Sequence, residues 1–353
     1  MFGFLFCVGA FGVQILAMGA ILQTATGISL IPAALIASIV TLAYTWSGGI
    51  LAVTLTDAVQ YVIIVIGVTL CAYLAIDHLG GFDAMMSILY SNPRFETNMK
   101  PLANWSLVQF LGLFFSFLLG EFCAPYYIQR YASTKSAKDS KNGLLIFGVH
   151  WIFFMATTAA IGLASMAIQP DVKPDLAFTN LIRDILPPGI TGLVFGALLA
   201  AVMSTGAAMI NTSAVIYTRD IYNKFINTAA TQADLLRQSR LSTLVVGGIS
   251  IGVAIIFQDV FGLMIYIFKL WPSAIIPPLL AGLLWGKVSP YAGAPAVIAG
   301  GLSFFLWSDK VLGEPFGIPA NFIGIGMNCL VLFFVHQKMK GHKPEGPFLP
   351  DLN

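Results

Sequence analysis

Ser204 and Thr205 sit side by side in a run, Gly189 to Tyr217, that carries no charged residue. Hydroxyl oxygens, helped by a free carbonyl one turn earlier, are hard ligands of the kind a cation such as Na⁺ takes. Gly192, Gly196, Ala200, Ser204, Ala208 and Thr212 recur at every fourth position. On a helix this spacing makes one small-residue stripe, along which a second backbone can approach closely. A packing role, with both hydroxyls bonded back to helix carbonyls, fits the same residues. Two carboxylates stand out in other apolar runs. Asp57 follows Gly48-Gly49 in YTWSGGILAVTLTDAVQ and reads either as a cation relay or as an N-terminal dipole partner of its helix. Glu121 is bracketed by Gly120 and Pro125, and a proline there removes a hydrogen bond and can open the helix where a ligand would sit.

The elements that position these groups are apolar spans. Of the 353 residues, 58% are hydrophobic and 10% charged, with a mean hydropathy of +0.85. A soluble domain carries about 25% charge, so the composition is that of a polytopic membrane protein. The fold class expected is all-α, with about ten transmembrane helices over 2–24, 28–49, 51–76, 106–131, 144–169, 189–217, 241–257, 260–286, 290–307 and 319–336. Gly48-Gly49 permits a tight reversal between the second and third spans. The loops at 77–105 and 170–188 are rich in Pro, Gly and Asn; within the second, Asp175–Leu186 reads as a short surface helix ended by Pro187-Pro188, and Asp234–Arg240 reads as helical.

Positive charge assigns sides. Arg130, Lys135, Lys138 and Lys141, then Arg219, Lys224, Arg237 and Arg240, then Lys338, Lys340 and Lys343 all fall on one side of a ten-span chain. Both termini are therefore expected in the cytoplasm, in a multi-pass protein of the plasma (inner) membrane. Trp105, Trp285 and Trp307 fall near span ends, as interfacial anchors would. The first span has no basic start and is long enough to cross, so it does not read as a cleaved signal. Cys7, Cys71, Cys123 and Cys329 lie within apolar runs without metal-ligand spacing, and the four histidines form no cluster. No nucleophile–base pair points to an enzyme, and no Lys/Arg block points to nucleic acid. The partners expected are a lipid bilayer and a small solute; oligomeric state is left open.

Four stretches together resemble the sodium:solute symporter family. Gly27 to Ala52 follows its signature, a Gly, Leu30, an apolar run and then YTxxGG, with Ile50 departing from the usual Leu, Met or Phe. LTDAVQ is similar to the family's TDxxQ, QRYASTKSAKDSKNG to its QRxxxxKsxkdakxg loop, and LLAAVMSTGAAMINTSAVIYTRDIY to its MST helix. The resemblance covers nearly the whole chain. It implies a LeuT-like pair of inverted five-helix repeats rocking about a midplane site. On it, residues 1–76 are the last three helices of the first repeat, 106–286 the complete second repeat, and 290–336 two C-terminal helices. The family's peripheral first helix and first two core helices would then be lacking.

Residue by residue, the resemblance implies Na⁺ ligation by the Ala201 carbonyl, Ser204 and Thr205, with Asp57 on the cytoplasmic exit path. Phe117, Glu121 and Pro125 fall where the broken helix of the second repeat lines the substrate site, and Tyr266, Lys269 and Trp271 lie opposite them. A buried Lys269–Glu121 ion pair and a direct substrate role both fit that pair. The function implied is Na⁺-coupled import of a small polar organic solute. H⁺ coupling through Glu121 or Asp57, solute sensing, and a non-transporting membrane fragment are the rival readings. Glu121 with Lys269 would suit a zwitterion or a carboxylate.

Overall fold

A helix that is apolar all round must be surrounded by protein or by lipid, and the chain uses both solutions. The computed structural model describes residues 2–93, 95, 106–122, 124–285 and 288–340, with the backbone only at 2, 49–52 and 122. Among them there is no strand, and ten helical stretches are long and apolar enough to cross a membrane. In chain order the helices are α1 (Phe2–Thr26), α2 (Leu30–His78), α3 (Phe82–Ser91), α4 (Leu107–Phe122), α5 (Pro125–Ala132) and α6 (Ala137–Ile168). Then come α7 (Pro174–Ile185), α8 (Pro188–Val215), α9 (Gln232–Phe257), α10 (Val260–Trp285), α11 (Gly293–Trp307) and α12 (Ala320–Lys338).

α1 is the central post. Its apolar window is 78% buried, against 11% for α6, whose Ile146, Val149 and Ile152 stay exposed on the periphery. One core gathers Phe6, Phe11 and Leu16 of α1 with Met209 and Ile210 of α8 and Leu263, Phe268 and Trp271 of α10. A second joins the far half of α2 to α3, α6 and α7 and to the start of α8. Lipid tails are as apolar as leucine, so close fit rather than water exclusion holds such helices together. At Gly206 a Cβ would lie 2.9 Å from the Phe11 ring, so the α1–α8 contact depends on glycine there. Ser250 Oγ of α9 adds a hydrogen bond to the Val8 carbonyl at 2.8 Å.

Several boundaries differ from expectation. The second and third spans are one helix, α2, with no loop residue between them. Tyr44 Oη donates to the Met203 carbonyl of α8 at 2.8 Å, and a Cβ at Gly67 would sit 3.2 Å from that of Ala197. Straight helix between Tyr44 and Gly67 would run ~35 Å, yet both meet α8 within about two turns of each other. The expected reversal is therefore a bend inside continuous helix.

The 77–105 loop contains α3, whose Met85 and Leu89 are buried. α6 starts well before the expected span, because Ser136 caps it by accepting from the Asp139 amide. The charged stretch before 144 is thus its first turns, leaving a short connection after α5. α7 lies where a surface helix was expected but buries Thr179, Leu181 and Ile182, and Thr179 Oγ1 bonds Thr24 Oγ1 at 3.0 Å. α8 runs on as a wider π-helix, Ile216–Ile226. α9 begins at Gln232 under a capping box of Thr231 and Asp234. Trp105, Cys123 and Lys343 lie outside the described residues.

Candidate functional site

Pro125 has no N–H to give the Glu121 carbonyl, and α4 ends at Phe122, three residues before it. The Ala124 amide takes that carbonyl instead, at 3.2 Å, and Ala124 then starts α5 in an extended conformation. Helix ends are thereby freed in mid-span, where Glu121 is half-buried and accepts from Tyr126 Oη at 3.2 Å.

α5 is tied down on two sides. Arg130 forms a 2.7 Å ion pair with Asp57 of α2, and Gln129 Oε1 accepts from Thr212 Oγ1 of α8 at 2.6 Å. Asp57 Oδ1 and Gln60 Oε1 on the same helix face are buried acceptors with no partner among the described residues.

On α8, Ser204 Oγ and Thr205 Oγ1 both donate to the Ala201 carbonyl, at 2.8 and 3.1 Å. Three oxygens thus converge at a half-buried position midway along the helix. Every one is a neutral hard donor, which suits an alkali cation and not a soft metal. The small-residue stripe is divided. Its later members Ala208 and Thr212 are buried, whereas Cβ atoms at Gly192 and Gly196 would meet open space.

The six expected solute-site residues fall into two groups. Phe117 stacks on Phe268 at 5.0 Å, and Phe268 lies against Gly120 beside Glu121. Pro125 and Trp271 border a cavity of about 290 Å³ together with Gln129, Thr212, Ile216 and Ile275. The Trp271 indole rests on Phe6 at 4.6 Å, and its N–H is buried without a partner among the described residues. Tyr266 and Lys269 lie on another face of α10. Tyr266 packs edge-on to Phe304 of α11 at 5.2 Å. Lys269 does not pair with Glu121: its Nζ donates to Glu314 Oε1 at 3.2 Å, and both side chains are about one-fifth exposed.

Sequence reading missed Arg130, Gln129, Tyr126 and Glu314 as partners. Arg130 and Gln129 were visible as the QR pair just after Pro125. Glu314, 45 residues from Lys269 in a turn, gave no signal.

A family model described as the sodium:solute symporter family matches residues 2–300. The osmoregulated proline transporter OpuE of Bacillus subtilis is 28% identical over 286 residues, 78% of this chain and 56% of that protein. The sodium/proline symporter of Escherichia coli is 27% identical, covering 76% and 55%. The sodium/glucose cotransporter of Vibrio parahaemolyticus is 27% identical, covering 80% and 58%. The chain thus spans little more than half the length of these relatives. A solved Na⁺-coupled sialic acid symporter, in a substrate-bound outward-open state, superposes with a TM-score of 0.73 at 20% identity, over 98% of this chain and 74% of that one. The shared fold is the LeuT-like one expected, and relatives of this kind are membrane transporters rather than enzymes. With its signature stretches in order and most of its length matched, the chain belongs to the sodium:solute symporter family.

Proposed function

We propose that this protein acts in Na⁺-coupled import of a small polar organic solute by alternating access. The observation that carries the reading is the sodium:solute symporter match over residues 2–300, within which Ser204 Oγ, Thr205 Oγ1 and the Ala201 carbonyl come together at mid-span. Na⁺ is held by these three oxygens with others from the surrounding bundle, and leaves past Asp57 toward the end of the molecule that carries Arg130. Solute sits at the α4–α5 break, against Phe117, Glu121, Pro125 and Trp271. Tyr266 and Lys269 act from the α11–α12 side of α10. The named relatives transport proline or glucose, or are symporters of sialic acid, all small and polar. Residues 1–76 serve as the last three helices of the first repeat, 106–286 as the second repeat, and 290–336 as two added helices.

Both termini lie in the cytoplasm in this reading, in a bacterial plasma membrane. Contacts between span ends are in keeping with that sidedness: Asp57–Arg130, Trp46–Arg240 and Ser289–His336 each join ends assigned to the cytoplasmic side, and Thr24–Thr179 and Trp307–Ile318 each join ends assigned to the other.

The test is uptake of proline, carboxylates, sugars and choline by proteoliposomes under an imposed Na⁺ gradient. Na⁺-driven accumulation of one solute, lost in Ser204→Ala/Thr205→Ala, is the expected result. Accumulation that follows a pH gradient and ignores Na⁺ would shift the coupling to H⁺, through Glu121 or Asp57. Uptake with unchanged Na⁺ dependence in the double variant would return both hydroxyls to packing.

A further inference from the structure

α10 carries three prolines inside a helix, Pro272, Pro277 and Pro278, and yet stays helical from Val260 to Trp285. Each proline strips a carbonyl four residues earlier of its donor. For Pro277 and Pro278 the stripped carbonyls are those of Ser273 and Ala274. Within hydrocarbon these groups have no water to turn to, and must find a donor in the protein.

They find one side chain. Asn328 of α12 is fully buried, and its Nδ2 donates to the Ser273 carbonyl at 2.9 Å and to the Ala274 carbonyl at 2.7 Å. Both protons of one amide are spent on the two orphans of a tandem proline. The opposite amide orientation would set Oδ1 against two carbonyl oxygens, so the chemistry fixes which end faces α10. Oδ1 itself is left without a partner among the described residues.

The approach is as close as backbones allow. A Cβ at Gly300 of α11 would overlap the Ser273 carbonyl, and one at Gly324 of α12 would lie 2.6 Å from Ser273 Cβ. α12 grips α10 a second time near its start, where Glu314 Oε1 accepts both from Lys269 Nζ and from the Ala320 amide at 3.1 Å.

We propose that Asn328 is a positioning residue: it splints α10 at Pro277-Pro278 and so sets the course of this helix, which carries Phe268 and Trp271 to the α4–α5 break. α12, which lies beyond the matched residues 2–300, is in this view part of the working core. The inference goes beyond the transport reading and does not depend on it.

The test is amide hydrogen exchange, followed by mass spectrometry on the full chain in lipid nanodiscs. Asn328→Ala should speed exchange across residues 273–285 at least tenfold, while α1 and the middle of α8 keep their protection. Replacing Pro277 and Pro278 by alanine returns N–H donors to both carbonyls, so adding Asn328→Ala to that background should leave exchange within twofold. Asn328→Leu, which keeps the size and removes both donors, should behave like the alanine variant. Unchanged exchange in Asn328→Ala would overturn the proposal. So would an effect of the same size with the prolines gone, because Asn328 would then be packing alone. If Asn328→Ala does not fold, the Pro277→Ala/Pro278→Ala/Asn328→Ala variant must; its failure too would place the role of Asn328 elsewhere. Neither Na⁺ nor solute enters this readout, so its failure leaves the transport reading standing, and the converse holds.

Discussion

The α4–α5 span and α10 both carry proline in mid-span, and only the first of them breaks. A single proline, Pro125, ends α4 and restarts the chain as α5. Three prolines leave α10 whole. The difference lies outside both helices. The Glu121 carbonyl accepts from the Ala124 amide three residues on, a 3₁₀-type bond that closes α4 instead of continuing it. The Ser273 and Ala274 carbonyls have Asn328 beside them. Proline decides that a carbonyl is orphaned; the surroundings decide whether the helix breaks. A break leaves polar backbone available for a solute, and a repaired helix leaves a firm wall opposite it.

The comparison can be broken most forcefully at α4. Pro125→Ala restores an N–H to the Glu121 carbonyl and should let α4 run into α5. Solute uptake is expected to fall at least tenfold, and exchange at residues 121–126 to slow by a similar factor. Full uptake with a closed α4 would mean that the break is not where solute binds. A smaller and different effect is expected from Thr205→Ala. Half-saturation by Na⁺ should rise about tenfold, a loss of ~1.4 kcal/mol, with exchange across the α4–α5 break unchanged. A change at the break would mean that hydroxyls and break are one unit.

The second grip on α10 ranks next. Glu314→Gln leaves Lys269 without its counter-ion and should cost about 1–2 kcal/mol, below the full cost of a buried pair because both groups are partly exposed. Thermal unfolding of the purified protein measures it, and Lys269→Met with Glu314→Gln should recover most of the loss. Independent losses would separate the two residues. The smallest effect belongs to Ser273→Ala. Ser273 Oγ donates to the Lys269 carbonyl at 2.8 Å, which already has its helical donor. About 0.5–1 kcal/mol is expected, with α10 still helical by exchange; unravelling there would shift the splint from Asn328 to Ser273.

This contrast also marks what the sequence could tell. Span positions were legible because hydrocarbon demands long apolar runs, and the α4 break because a lone proline beside Gly120 and Glu121 acts locally. The survival of α10 was not legible, since its remedy lies some fifty residues on in an unremarkable apolar span. Lys269 failed in the same way. An intramembrane lysine announces that it needs a partner, and Glu121 was the intramembrane acid in view. The actual partner reaches in from a turn where Glu314 adopts a left-handed backbone (φ 49°). The start of α6 was missed for the opposite reason. Its cap at Ser136 and Asp139 is a local signal, outweighed by the charge that follows it. Ser204 and Thr205 were visible as a pair, with the Ala201 carbonyl implied beside them; that both hydroxyls donate to it is what the structure adds.

α2 stays helical through its bend, so its arms Leu30–Gly48 and Val53–His78 are joined with no loop residue between them. Two helices joined by a loop can swivel separately; a bent helix transmits torque. The first arm is fastened to α8 through Tyr44 and Met203; the second meets α8 at Gly67 and Ala197 and holds α5 through Asp57 and Arg130. A roll of the first arm along α8 therefore turns the second against Arg130, one turn from the start of α5. The reversal works as a crank, linking the helix that carries Ser204 and Thr205 to the short helix that begins at Pro125.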